Sequence, residues 1–237
     1  MKRVIFAKDQ IYHVYNRGVE KRNIFLDDKD YFRFIHNLFE FNDEKPAENI
    51  YYKQPMLQSQ KIQSYEASPR KINMPRKLLV EIMAFCLMPN HYHLLLRQKQ
   101  DRGITRFMQK LGTGYSMYFN QKHERTGILF QGPFKAILVD RETYFYYLPY
   151  YIHFNPLDLI EPEWRNGKIN NYKEALNFLE NYRWSSHLDY IGKKNFPSVT
   201  QREFLLEYHQ NGNRYKQSIE NWLKEIQLEK IKDIMLE

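Results

Sequence analysis

Two apolar runs, Leu78 to Met88 and His91 to Arg97, are separated only by Pro89 and Asn90. Proline fixes its own φ and asparagine tolerates tight backbone, so the runs predict a β-hairpin over 78–88 and 91–97. An isolated hairpin is marginal in water, so the flanking chain has to supply more strands and a covering layer. Ile11 to Tyr15 favours a strand and ends at the turn residues Asn16-Arg17-Gly18. Asp27-Asp28 can cap a helix, and Tyr31, Phe32, Ile35, Leu38 and Phe39 follow at helical spacing. A second helix over 101–122 carries Ile104, Phe107, Met108, Leu111, Tyr115 and Phe119 on one face, and Phe134 to Val139 forms a fourth strand. Strand, helix, hairpin, helix, strand predicts an α+β fold. It is a ferredoxin-like antiparallel sheet, β-α-β-β-α-β, with helices on one face.

The rest of the chain is appended to this frame. The aromatic stretch from Arg141 to Asn155 reads as a helix stopped by Pro156, with Pro149 expected to kink it. Two C-terminal helices are expected near 200–209 and 213–235, the second with Tyr215, Ile219, Trp222, Leu223, Ile226 and Ile234 as a packing stripe. The segment 43–76 is polar and aperiodic, which suggests an insertion. The expected division is a domain over 1–160 containing that insertion, and a helical C-terminal extension over 161–237.

Composition narrows the partner. The chain has 237 residues with a formal net charge of +8, and 16% of its residues are aromatic, 19 of them tyrosine. Basic charge mixed with aromatic rings suits single-stranded nucleic acid, where cations follow phosphates and rings stack on bases. The single cysteine, Cys86, excludes a disulfide scaffold and any CxxC site. The apolar run Val4–Ala7 is too short for a signal peptide, and no stretch approaches the ~20 apolar residues of a membrane span. A cytoplasmic, nucleoid-associated protein without a membrane partner is expected. No GxxxxGK[ST] loop is present, which argues against ATP.

His91-Tyr92-His93 follows the hairpin turn, and strand alternation sends both imidazoles to one face. Two histidines so placed form half of a metal site, although a stray HxH is more often structural. Tyr147, Tyr151 and Asn155 share one face of the aromatic helix at i, i+4, i+8. An amide oxygen can complete a site for a hard divalent cation. A phenol, with its ordinary pKa of ~10, attacks at neutral pH only with a base or Lewis acid at hand. Packing is the bland reading of such an aromatic helix.

These residues carry a resemblance. Tyr12-His13-Val14-Tyr15-Asn16-Arg17-Gly18 and Met88-Pro89-Asn90-His91-Tyr92-His93-Leu94-Leu95 are similar to motifs of the single-tyrosine HUH transposases. So are Gly127-Ile128-Leu129-Phe130-Gln131-Gly132, Tyr151-Ile152 with Asn155-Pro156, and Tyr182-Arg183-Trp184-Ser185-Ser186. The closer likeness is to the REP-associated tyrosine transposases, and it spans roughly residues 8–192 in motif order. The resemblance implies His91, His93 and Asn155 as ligands of Mg²⁺ or Mn²⁺ and Tyr151 as nucleophile. The implied reaction is cleavage and rejoining of single-stranded or hairpin DNA through a 5′-phosphotyrosine, by a monomer or homodimer. Two departures stand out: Pro149 lies two residues before the nucleophile, and Pro133 replaces an often basic residue.

Between Arg97 and Arg141 nine basic residues face three acidic ones, which suggests a phosphate track. The expected DNA contacts are Asn16, Arg17, Arg97, Arg102, Arg106 and Lys135. The competing readings are a nucleic-acid binder of the same fold that no longer cuts, and a phosphodiesterase that uses water.

Overall fold

The computed structural model describes residues 4–45, 76–209 and 212–224. Its sheet has four strands: β1 (Ile11–Arg17), β2 (Val80–Met88), β3 (His91–Gln98) and β4 (Lys135–Leu138). They lie in the order β2-β3-β1-β4, and every neighbouring pair is antiparallel. That is the ferredoxin-like order expected from the sequence. Seven helices are named here: α1 (Asp28–Glu40), α2 (Gly103–Lys122), α3 (Glu142–Phe154), α4 (Tyr172–Leu179), α5 (His187–Tyr190), α6 (Glu203–Tyr208) and α7 (Gly212–Lys224). Most of the expected 43–76 insertion, and the end of the last predicted helix, lie outside the described residues.

Local chemistry sets these elements. The Asp27 carboxylate accepts from the Asp30 backbone N–H and caps α1, satisfying a donor that the first turn leaves orphaned. The stripe predicted on α2 is the set of side chains it buries. Pro149 does not interrupt α3, which runs on to Phe154 before Asn155–Leu159 tightens into a 3₁₀ turn.

Both faces of the sheet are covered. Val14, Phe85, Tyr92 and Leu94 pack beneath α1 and α2, the helix layer that was predicted, but helices are not confined to that face. Met83, Ala84, Cys86, Met88 and Leu95 face the other way, into a cluster with α3 and side chains of α4 to α7. A register shift between Ile82 and Ala84 re-phases β2, so its apolar run serves both layers.

The outer edge of β2 is closed by the segment from Tyr182 to Gln201. Leu87 N–H donates to the Trp184 carbonyl and Ser186 N–H to the Phe85 carbonyl. Ser186 Oγ accepts from Phe85 N–H, Gln201 Oε1 from Ile82 N–H, and the Tyr190 hydroxyl donates to the Met83 carbonyl. The Tyr182–Ser186 motif is thus an edge cap. Its Trp184 stacks on Tyr31 at 4.5 Å between ring centroids, a core position.

Candidate active site

The central strands β1 and β3 carry the histidines. Their register sets Arg17 opposite His91, Tyr15 opposite His93 and His13 opposite Leu95. Directly opposed residues share a face, so His13, Tyr15, Arg17, His91 and His93 all lie on the side covered by α3. Lys135, opposite Tyr15 on β4, joins them.

α3 brings the remaining groups. The Tyr151 ring lies edge-on to His93 at 5.6 Å and to His13 at 6.0 Å between centroids. Asn155, one turn on, has its amide beside His91, whose ring is 5.0 Å from that of His93. His91, His93, Tyr151 and Asn155 therefore come together from β3, α3 and the 3₁₀ turn that follows it. Tyr147 instead faces Trp222 on α7.

Hydrogen bonds orient the two imidazoles. His91 Nδ1 donates to Asn90 Oδ1 at 2.6 Å, which leaves Nε2 as the basic nitrogen of its neutral ring. His93 Nδ1 is hydrogen bonded to His13 Nε2 at 2.9 Å. His93 Nε2 is buried and has no hydrogen-bond partner among the described residues. Burial, then the Arg17 charge, lowers the His91 pKa to about 4. Burial, then the His91 and His13 charges, holds His93 well below its ordinary value. Both rings are neutral at pH 7, the form that ligates metals.

The donor set fits a divalent cation. An orphaned buried imidazole nitrogen is what a metal ligand looks like without its ion. The Asn155 carbonyl oxygen has two lone pairs, one of which already accepts from Arg165 Nη2 at 2.9 Å. Among the described residues no group of three or more His, Cys, Asp or Glu is arranged to hold a metal. Two imidazoles and an amide oxygen are the candidate set.

Arg165 is the group that the sequence reading missed. It sits on the short turn Trp164–Asn166. Its Nε donates to Asp158 Oδ1 at 3.0 Å and its Nη2 to Asp158 Oδ2 at 2.8 Å. Trp164 Nε1 donates to the same carboxylate at 2.5 Å. The Arg165 guanidinium carbon lies 5.1 Å from the Tyr151 ring centroid. Burial opposes its charge, but Asp158 and the Tyr151 hydroxyl outweigh burial and raise its pKa. With Arg165 and Trp164 against it, Tyr151 is 0% exposed. A phosphate reaches that hydroxyl only when part of the cover moves.

The expected DNA contacts are scattered. Arg17 and Lys135 lie on the histidine face. Asn16 points to the opposite face, where its Nδ2 donates to the Gly132 carbonyl. Arg97 is at the far end of β3, roughly 20 Å from His91 at ~3.3 Å per residue, and pairs with Asp9 and Glu81. Arg102 precedes α2 at that same end, and Arg106 donates to the Glu44 carbonyl. The structure does not bring these three to the histidines. His13 had a readable signal, since it shares strand parity with Tyr15 and Arg17. Arg165 had none, being a loop residue placed by Asp158.

Residues 50–155 match the model of the family described as IS200-like transposases. That segment is similar to the IS200-like transposases. The resemblance to the tyrosine transposases is borne out, and the match includes His91, His93, Tyr151 and Asn155. It excludes His13, Arg17 and Arg165. No curated protein matches the chain. Among solved structures, a REP-associated tyrosine transposase bound to a REP hairpin is similar in fold, with a TM-score of 0.50 at 12% identity. The alignment covers 84% of this chain and 89% of that one.

Proposed function

We propose that the chain is a metal-dependent single-strand DNA endonuclease and transposase acting on hairpin elements, with Tyr151 as its nucleophile. The observation that carries this reading is the convergence of Tyr151 and Asn155 on a histidine pair whose His93 Nε2 is buried without a partner. Tyr151 Oη attacks the scissile phosphorus. The Oη–P bond forms and the P–O3′ bond breaks, leaving a 5′-phosphotyrosine and a free 3′ hydroxyl. The phenolic proton passes to solvent, and the departing O3′ takes one up. The 3′ hydroxyl can later reverse the step without ATP, because the phosphodiester bond energy is retained. His91, His93 and Asn155 would hold Mg²⁺ or Mn²⁺, which would supply Lewis acidity to the scissile phosphate. Arg17 and Lys135 supply positive charge beside the strand. The hairpin preference takes its support from the solved neighbour, which holds a REP hairpin.

The complete burial of Tyr151 favours a second reading, a binder of the same fold that does not cut. One assay separates them. Incubation with a hairpin oligonucleotide and Mg²⁺ or Mn²⁺ is expected to give a covalent adduct, mapped to Tyr151 by mass spectrometry. Tyr151→Phe is expected to abolish the adduct and EDTA to prevent it, with hairpin binding retained in both cases. Binding by the wild-type chain with no adduct would establish the second reading.

A further inference from the structure

The site described above contains a half-buried cation that neither the family match nor the motifs account for. Arg165 lies beyond the matched residues 50–155, and its side chain is only 17% exposed. Surface ion pairs contribute little and move freely, but this one is neither exposed nor simple. Asp158 takes the guanidinium in a two-pronged grip through Nε and Nη2, and Trp164 Nε1 fixes the carboxylate in turn. So held, the guanidinium meets Asn155 Oδ1 at 2.9 Å and lies against the Tyr151 ring. It touches the proposed nucleophile and the proposed oxygen ligand at once. Its charge is also felt at both histidines. A fixed guanidinium at such a point does two things: it holds its neighbours in register, and it offers a preorganised positive charge to a reacting phosphate.

We propose that Arg165, presented by Asp158, is a positioning residue for strand cleavage that fixes Tyr151 and Asn155 relative to the scissile phosphate. This rests on the transesterification reading above. It adds no bond-making step: Oη–P still forms and P–O3′ still breaks. Arg165 sets where Tyr151 and the phosphate meet. Planarity matters, because a fork that binds Asp158 and Asn155 together cannot be copied by the point charge of lysine.

The test uses the full chain with a hairpin oligonucleotide. The adduct rate is read at saturating DNA with Mn²⁺, and the hairpin Kd is read separately in EDTA. Arg165→Ala is expected to lower the adduct rate about 100-fold while changing Kd less than about threefold. Added guanidinium ion at tens of millimolar is expected to recover part of that rate, and equal NaCl is not. Arg165→Lys keeps charge and bulk, so it carries the test if alanine unfolds the turn. Its expected loss is about tenfold in rate at unchanged Kd. An unchanged rate in either variant overturns the proposal. So does a rate loss matched by an equal loss of hairpin affinity and indifferent to guanidinium. A wild-type chain that forms no adduct overturns the transesterification reading itself, and the role of Arg165 falls with it.

Discussion

His13 holds the ring nitrogen of His93 that lies opposite the orphaned Nε2. A ligating histidine keeps its tautomer and orientation through the partner of its other nitrogen, and losing that partner typically costs 10–100-fold in metal affinity. His13→Phe retains the ring volume and its packing against Tyr15 and Tyr151 but removes the 2.9 Å hydrogen bond. Titration calorimetry with Mn²⁺ is expected to show affinity falling at least tenfold, with the melting temperature little changed. A change under twofold would mean that packing alone orients His93. Tyr15 belongs to the same environment: burial, then the proximity of Tyr151, raises its pKa. It therefore stays protonated beside the proposed nucleophile at neutral pH.

At the scale of elements, α3 is the joint between sheet and C-terminal helices. His153 on α3 hydrogen bonds to the Tyr215 hydroxyl of α7 at 2.5 Å and to Ser186 Oγ at 2.7 Å. Tyr150 bonds to His209 Nδ1 at 3.1 Å. Burial holds His153 well below its ordinary pKa and lowers His187 and His209 to about 4. The unfolded chain takes up these protons near pH 6.5, and the native chain does not until far lower. Stability is therefore full above about pH 6.5 and lost as pH falls toward 4, by roughly 1.4 kcal/mol per pH unit for each such histidine. Urea melts at pH 7, 5.5 and 4.5 are expected to show that decline, and a flat profile would mean the network is wetter than the structure implies. Ser186→Ala probes the same joint at neutral pH. It strands the Phe85 N–H and a His153 nitrogen, and is expected to cost about 2 kcal/mol or more in urea melts.

Elements whose partners are local were readable in advance. The 78–97 hairpin follows from two apolar runs and a Pro-Asn turn, and the α2 stripe from spacing alone. The meeting of His91, His93, Tyr151 and Asn155 came through motif resemblance, because no periodicity says that α3 lies over β3. The burial of Tyr151 was not readable. It depends on Arg165, a loop residue whose position is dictated by a carboxylate seven residues earlier and a tryptophan beside it. The basic run on α2 is partly engaged within the protein itself. Counting charge ignores partners, and Lys110 and Lys122 are engaged with the Asp43 and Lys45 carbonyls and with Asp27 and Asp30 respectively.

Across the whole molecule, the candidate site draws on residues from both sides of the family match: His13 and Arg17 before it, Arg165 after it. The C-terminal segment is therefore part of the candidate site. It supplies the cover of α3 and closes one flank of the sheet. A sheet grows by adding strands at open edges, and growth without limit needs two of them. Here β2 is already paired along Ile82 to Leu87 by the segment from Tyr182 to Gln201, while β4, at the opposite edge, spans only Lys135–Leu138. The same strip that caps β2 thus leaves no open strand edge along Ile82 to Leu87 for another chain to extend.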